Sequence, residues 1–285
     1  MTAPATGGTP ATEGIPAPAP AVTPRAAARP RQHRRRSLVG ALGPAVASLV
    51  VFALVWQVIV LVSAFPPYIL PGPLTVAERF VKAWLDGTMW PNVATTLVEI
   101  LLGFALGATI ALIAGIVLAR SPLAERLLSP YLVAAQATPV LALAPLIALW
   151  FGTGLAPKLI ITTLIVFFPV AVATMVGVRS VDPRLLEMAR SFRAGSWQVV
   201  TRVEVPAAAP VILGAMRVGV TLAVIGAIVG EWAGADKGLG ELINIARASL
   251  FDTPLMFAAL AQLAIIGVAL YLVMLAVERR IVGER

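Results

Sequence analysis

The chain has 285 residues, of which 59% are hydrophobic and 13% are charged, and its net charge is +8. Soluble domains have roughly 45–50% apolar and about 25% charged residues, so this composition indicates a polytopic membrane protein. Cysteine is absent from the sequence, which excludes disulfides and thiolate chemistry. The single histidine, His33, lies near the N-terminus, which excludes a His-ligated metal site within the membrane.

Residues 1–37 differ in composition from the rest of the chain. Ala, Pro, Thr and Gly dominate up to Pro24, and six arginines follow between Arg25 and Arg36. A segment with so little apolar bulk cannot form a core, so we expect a disordered cytoplasmic tail. The Arg cluster either contacts anionic lipid headgroups or serves only as a topology signal.

Six apolar segments follow, and each is long enough for the roughly 20 residues that a bilayer core requires. We therefore predict an all-α, polytopic membrane protein with about six transmembrane helices in residues 38–285. The third segment contains three prolines, and we expect a break or kink in it. The segments lie near 39–64, 93–119, 128–150, 158–178, 208–232 and 255–277.

Lys and Arg residues are distributed unevenly between the two sides of the membrane. If the N-terminal tail is inside, most arginines fall on the inner side, and only a few cations, Lys158 and Lys237 among them, fall on the outer side. By the positive-inside rule both termini are cytoplasmic, and so is the loop at 182–206. Because the cations flank apolar segments, we expect them to set topology and not to bind nucleic acid.

Two outer loops contain helical patterns. The first is predicted to form a short interfacial helix that Thr75 caps, with Trp84 and Trp90 near the headgroups. The second has glycines 234, 238 and 240 followed by an amphipathic stretch. It lacks the G-x-x-x-x-G-K-[ST] pattern of a phosphate-binding loop, so it is predicted to be a turn before a surface helix.

The inner loop at 182–206 is predicted to form two short helices. Asp182 followed by Pro183 is a typical helix start, and the second helix is expected to end at Pro206. A turn is expected near Gly195. An apolar stripe with helical spacing needs a surface to cover it, either a lipid headgroup layer or a groove in a partner protein. The stripe consists of Leu185, Met188, Phe192, Val199 and Val203.

This loop resembles the E-A-A-x3-G-x9-I-x-L-P loop of binding-protein-dependent ABC importer permeases. Glu187, Met188 and Ala189 occupy its first three places, and Val203, Val205 and Pro206 its last three apolar and proline places. The seventh place, a glycine in the family, is Arg193, and Ala194 and Gly195 follow it, so the turn either shifts to Gly195 or tolerates the bulky arginine. The runs LAPLIALWFGTG and FDTPLMFAAL are also similar to the subfamily that serves nitrate, sulfonate, taurine and thiamine- or riboflavin-precursor importers.

The resemblance implies a permease of the type I importer fold in the bacterial cytoplasmic membrane. Such a permease is not an enzyme and holds no cofactor, because ATP and Mg²⁺ are bound by a separate cytoplasmic ATPase that docks on the loop. The other implied partners are an extracytoplasmic substrate-binding protein and a second permease copy, with a homodimer expected. The substrate is unspecified, with a preference for a heterocyclic vitamin precursor over an oxyanion.

Few ionisable residues lie within the apolar segments, and we single out Glu99, Arg217 and Glu231. Glu99 and Arg217 either lie near a translocation path or pair with protein groups, and we expect each to have its own partner. Glu231 and Trp232 are predicted to anchor the outer end of the fifth segment. An ion-coupled secondary transporter is the alternative function, although three such residues are few for a proton relay.

Overall fold

The computed structural model describes residues 38–63 and 65–283, so the predicted tail at 1–37 lies outside the described residues. Every regular element of the described residues is a helix, which confirms the predicted all-α class. The described residues fall into two units that divide between Leu49 and Val50. The helices are α1 (Leu38–Ser63), α2 (Pro73–Leu85), α3 (Met89–Arg120), α4 (Pro122–Ala137), α5 (Val140–Phe151), α6 (Leu155–Arg179), α7 (Pro183–Ser191), α8 (Ser196–Val199), α9 (Val205–Trp232), α10 (Leu239–Ala248) and α11 (Thr253–Val282).

Five helical stretches are long and apolar enough to cross a membrane, and the bent pair α4–α5 makes six if it counts as one span. The five are a part of α1, the helices α3, α6 and α11, and one stretch from Ser196 to Trp232 that includes α9. Each of the six predicted segments therefore corresponds to a helix or to this bent pair. The prediction of about six membrane segments is confirmed.

The predicted break in the third segment lies at Thr138 and Pro139, where α4 and α5 meet at an angle of 95°. A residue before proline is driven away from helical backbone angles, and Thr138 is extended with ψ of 125°. Its hydroxyl donates to the Ala134 carbonyl, which would otherwise lack a partner at the helix end. Pro130 and Pro145 lie inside α4 and α5 without ending them.

Helix α6 packs between α3 and α9 at very short range. A Cβ atom added to Gly103 of α3 would lie 2.5 Å from Cβ of Thr162, and one added to Gly226 of α9 would lie 2.7 Å from Cα of the same threonine. Small residues allow helix backbones in a membrane to approach closely and to gain dispersion contacts. Thr162 of α6 is thus enclosed by a glycine on each side.

Helix α2 begins two residues before the predicted cap, so the assignment of Thr75 as the cap was wrong. Gly72 occupies the cap position and Pro73 the first helical position, where the fixed φ of proline favours a helix start. Arg79 of α2 donates to Asp252 over 2.7 Å, which ties α2 to the start of α11. Trp84 and Trp90 lie near each other, with ring centroids 6.4 Å apart.

Helix α10 confirms the predicted turn followed by an amphipathic helix. Gly234 and Gly238 in the turn have φ of 149° and 136°, a region that side chains rarely adopt. The apolar face of α10 is buried against α9 and α11 and consists of Leu239, Leu242, Ile243 and Ala246. Helices α2 and α10 therefore lie at one end of the Val50–Arg285 unit, which we call the α10 end.

We expect Gly226→Ala to lower the thermal stability of the protein, because the new methyl group would overlap the α6 backbone at Thr162. Overpacking of this kind costs about 1–3 kcal/mol. Gly214→Ala on the same helix is the control, because an added Cβ there meets nothing within 4 Å. Thermal unfolding of both purified variants in detergent measures the difference. Equal unfolding temperatures would contradict the close approach of α6 and α9.

Candidate functional site

The loop at 182–206 begins as the sequence predicts. The Asp182 carboxylate accepts a hydrogen bond of 2.9 Å from the Arg184 backbone N–H, and Pro183 is the first residue of α7. The aspartate satisfies one of the N–H groups that a helix start leaves unpaired, and its charge favours the positive end of the helix dipole. The predicted helix start is confirmed.

Helix α7 ends in a Schellman turn. The Ala194 N–H donates to the Ala189 carbonyl over 3.1 Å, and the Arg193 N–H donates to the Arg190 carbonyl over 2.9 Å. This pair of bonds requires a left-handed residue directly after the helix, a place that glycine usually takes. Arg193 occupies it with φ of 54°. The chain thus keeps the turn at the seventh place of the family pattern, although the residue there is an arginine.

The turn does not move to Gly195, where the sequence suggests it. Gly195 has φ of −67° and ψ of 157°, which any residue adopts, and it is the cap residue of α8. Its N–H donates to the Gln198 side-chain oxygen over 3.0 Å. Of the two alternatives, the structure has the turn that tolerates the arginine, because the two hydrogen bonds at the end of α7 determine the place of the left-handed residue.

The second helix of the loop does not end at Pro206, which corrects the sequence prediction. Helix α8 continues through one π-helical turn, Val200–Glu204, directly into α9. The Val205 N–H donates to the Val200 carbonyl, five residues earlier. Because the second residue of α9 lacks an N–H and has a bulky ring, a widened turn before it lets the helix pass through proline unbroken.

The structure divides the predicted apolar stripe into a covered part and an uncovered part. Val199 is buried, whereas Phe192 is 79% exposed and Met188 is also exposed. Trp197 is 77% exposed and was missed, because it lies outside the helical spacing that defined the stripe. We call Leu185, Met188, Phe192 and Trp197 the exposed apolar set; all four are exposed.

The remaining residues of the family pattern lie in two groups. Glu187 on α7 is exposed, and Ala189 on the opposite side of that helix is buried. Ala194, Val203, Val205 and Pro206 are half-buried. The pattern thus combines residues that fix the shape of the loop with residues that are open to contact.

Arg120 at the end of α3 holds the loop in place. Its guanidinium donates to the Ser196 carbonyl over 3.1 Å and lies 3.7 Å from the buried Glu204 carboxylate. Nearby, Arg179 at the end of α6 donates to both oxygens of Glu125, at 2.5 and 2.7 Å. Bidentate pairs of this kind fix geometry well. Arg120 therefore attaches the loop to the end of α3, and the Arg179–Glu125 pair attaches α4 to the end of α6; we call this side of the unit the α7 end.

The intramembrane residues Glu99 and Arg217 have separate partners, as expected. The Lys158 ammonium donates to Glu99 over 2.6 Å, and Arg217 lies 3.3 Å from Glu278, with its guanidinium 5.4 Å from the Tyr271 ring. From the sequence, Lys158 is only a cation that flanks an apolar segment, since the sequence does not show which helix faces meet.

Glu231 ties the end of α9 to its neighbours from inside the protein. It is 0% exposed and accepts hydrogen bonds from the Thr96 hydroxyl of α3, at 2.5 Å, and from the Gly240 N–H. The sequence places Glu231 near the end of an apolar segment but does not show that α10 folds back over it. Trp232, its neighbour, is partly exposed and donates to the Gly240 carbonyl.

Comparison with known proteins finds a matching family model and several related permeases. A family model described as the binding-protein-dependent transport system inner membrane component matches residues 107–283. The riboflavin transport system permease protein RibX of Chloroflexus aurantiacus is 47% identical over 82% of this chain and 87% of its own length. The formylaminopyrimidine transport permease protein ThiX of Halalkalibacterium halodurans is 35% identical, over 71% of this chain and 80% of its own.

One more distant relative and one solved structure are also similar to this chain. The taurine transport system permease protein TauC of Escherichia coli is 30% identical over 83% of this chain and 88% of its own length. A solved structure of the MetNI methionine ABC transporter in an inward-facing conformation has a TM-score of 0.61 at 20% identity, covering 69% of this chain and 98% of that chain. At this identity, the structural match shows the fold alone.

We expect Arg193→Gly to leave the stability of the loop unchanged or to raise it, because a left-handed L-residue costs about 1–2 kcal/mol that glycine does not. Arg193→Val is expected to lower it, since a branched side chain fits this region poorly. The rate of proteolysis within the loop, measured on purified protein, compares the variants.

Gly195→Ala is the matched control for this turn. An added Cβ at Gly195 would have its nearest contact at 3.9 Å, from the Gln198 side chain, so the loop is expected to tolerate it. Faster proteolysis of Gly195→Ala than of Arg193→Val would place the left-handed residue at Gly195 and contradict the structure.

Proposed function

Because the chain belongs to the family of binding-protein-dependent transport system inner membrane components, we propose that an ATPase docks on its 182–206 loop. The chain is a transmembrane permease subunit of an ABC importer, which is what its family and its relatives are. Family membership does not support the alternative of an ion-coupled secondary transporter. The family implies an ATPase and a substrate-binding protein as partners.

The exposed apolar set is the observation that carries the docking proposal. Phe192 and Trp197 are among the most exposed large side chains of the described residues, and they lie on either side of the Schellman turn. Exposed aromatic residues on a short amphipathic helix are typical of a surface that enters a partner's groove. Glu187 and Arg193 supply polar contacts at its rim.

The attachments of the loop support a role in transmitting movement. The loop continues into α9 without a flexible link, and Arg120 ties it to α3. A partner that displaces the loop therefore displaces the attached ends of α9 and α3. In this scheme ATP and Mg²⁺ stay on the ATPase, and the permease performs no chemistry of its own.

The rest of the assembly is proposed on the same basis. We infer two permease copies, as a homodimer, with two ATPases on the cytoplasmic side and the binding protein on the other. The 182–206 loop and both termini are then cytoplasmic in the bacterial inner membrane, in agreement with the excess of arginine on that side. The α10 end of the unit faces outward.

The substrate is proposed to be a heterocyclic vitamin or vitamin precursor. Two of the relatives are named for riboflavin and for formylaminopyrimidine, and the riboflavin permease is 47% identical, against 30% for the taurine permease. We expect the reconstituted transporter, with its own binding protein, to take up riboflavin or a pyrimidine precursor in an ATP-dependent manner. Uptake of taurine but of neither heterocycle would contradict the proposal.

Arg217 is proposed to lie near the translocation path. It is half-buried within α9, and its ion pair with Glu278 and its contact with Tyr271 hold its guanidinium in one place. In the same uptake assay Arg217→Ala is expected to lower the rate severalfold while the protein level stays normal. Normal uptake at a normal protein level would remove Arg217 from the path.

We expect the double substitution Phe192→Ala with Trp197→Ala to abolish stable association with the ATPase. Aromatic anchors at the centre of an interface each contribute about 2 kcal/mol or more, so their joint loss weakens binding at least a hundredfold. Co-purification of the tagged permease with the ATPase, followed by ATP-driven uptake, measures the effect.

Phe251→Ala is the matched control, because Phe251 is also 79% exposed but lies between α10 and α11, at the α10 end. It is expected to leave ATPase association unchanged. If the double variant retains the ATPase and full ATP-coupled uptake, the loop is not the docking site. If Phe251→Ala alone releases the ATPase, the proposed orientation is wrong.

A further inference from the structure

Three ionisable side chains from three helices meet inside the protein near the α10 end. Glu99 of α3, Lys158 of α6 and Glu231 of α9 are 1%, 5% and 0% exposed. Their formal charges sum to one negative charge. A buried charge without a counter-charge is strongly unfavourable, so this excess requires an explanation.

One carboxylate oxygen of the cluster has no hydrogen-bond partner among the described residues. Lys158 donates to Oε1 of Glu99 over 2.6 Å, the Thr96 hydroxyl donates to Oε1 of Glu231, and the Gly240 N–H donates to Oε2 of Glu231. Oε2 of Glu99 is buried and has no donor among the described residues. Buried polar atoms are nearly always paired, so this oxygen calls for a hydrogen-bond donor.

The unpaired oxygen belongs to one of the two carboxyl groups of the cluster. Thr96, whose hydroxyl donates to Glu231, lies one helical turn before Glu99 on α3, so the two carboxyl groups are neighbours in the same buried site. Two carboxylates accept hydrogen bonds and cannot donate to one another, whereas a carboxylic acid can donate to a carboxylate. The pairing that removes both the unpaired oxygen and the excess charge is one acid with one carboxylate.

The other charged groups nearby do not supply the missing charge. Asp236 and Lys237, in the turn before α10, are exposed, and Glu241 in the first turn of α10 is half-buried. Within the described part of the chain, none of these three forms an ion pair or a side-chain hydrogen bond with the cluster. Lys158 is thus the only cation of the cluster among the described residues.

We propose that Glu99 and Glu231 form a proton-binding site, in which one proton is shared between the two carboxyl groups beside the Lys158 ammonium. The proton comes from water when the protein folds, and it forms an O–H bond on one carboxyl group and a hydrogen bond to the other. With it the cluster has no net charge, and Oε2 of Glu99 is satisfied. A bound proton needs no cavity, unlike a metal ion.

The site joins α10 to the core of the unit. The Leu239 N–H donates to the Thr96 hydroxyl over 2.8 Å, and the Gly238 N–H donates to the Asn92 side chain over 2.9 Å. A Cβ on Gly238 or Gly240 would lie 2.2 or 2.8 Å from the Glu231 carboxyl group, so only glycine lets α10 approach it. Loss of the proton would leave the buried cluster with one excess negative charge where α10 is attached.

Infrared spectroscopy of the purified full-length protein tests the proposal, because the carbonyl stretch of a protonated carboxyl group is separate from that of carboxylates. At about pH 7, exposed carboxyl groups with an ordinary pKa near 4 are ionised. We expect a protonated-carboxyl band in the wild type at this pH. The band is expected to disappear in Glu99→Gln and in Glu231→Gln, because each variant leaves one carboxylate to balance Lys158.

Two variants serve as controls. Glu78→Gln, on the exposed face of α2, should keep the band. Lys158→Met should increase it, because the two carboxyl groups then have no cation beside them, and should lower the unfolding temperature. Adding Glu99→Gln to Lys158→Met should restore part of that loss, since one of the two acids is removed.

The wild type alone decides the outcome if a variant fails to fold. Absence of the band at about pH 7 would show both carboxyl groups ionised and would overturn the proposal. A band that appears only after sodium is replaced by a large organic cation would assign the site to a metal ion instead, and a band unaffected by either glutamine substitution would assign the proton to another residue. None of these readouts depends on transport, so the docking proposal stands or fails separately.

Discussion

The approach of α6 to both of its neighbours is the constraint on which the rest of the structure depends. Thr162 has Gly103 on one side and Gly226 on the other, and a Cβ on Gly230 would lie 2.8 Å from the Cα atom of Lys158. Helix α9 can therefore lie directly on the α6 backbone. This contact brings Glu231, the residue after Gly230, to the level of Lys158, so the buried charges meet only because glycine occupies these places.

The two ends of the unit use polar groups in different ways. At the α7 end, Arg120 of α3 pairs with the loop and Arg179 of α6 pairs with α4, and the arginine of each pair is partly exposed. Ion pairs near the surface contribute little stability in water but fix direction. At the α10 end, the charges are fully buried and closely hydrogen-bonded. The first arrangement suits a surface that meets a partner, whereas the second fixes the helices relative to one another.

Much of the fold could be predicted because the length of an apolar segment and the position of a proline determine the structure of the residues next to them. The six segments, the break at Pro139 and the helix start at Asp182 each follow from a few neighbouring residues. The left-handed residue at Arg193 could not be found in this way, since its place depends on where α7 ends. The partners of Glu99 and Glu231 depend on which helix faces meet, and a single sequence carries no signal for that.

The unbroken helix from Ser196 to Trp232 has 37 residues, which at 1.5 Å per residue makes it about 55 Å long. A bilayer is about 40–45 Å thick with its headgroups, and its hydrocarbon core is about 30 Å. An untilted helix of this length exceeds a bilayer with its headgroups by roughly 10 Å. Trp197, the second residue of the stretch, is therefore carried by a helix that is long enough to project beyond the headgroup layer.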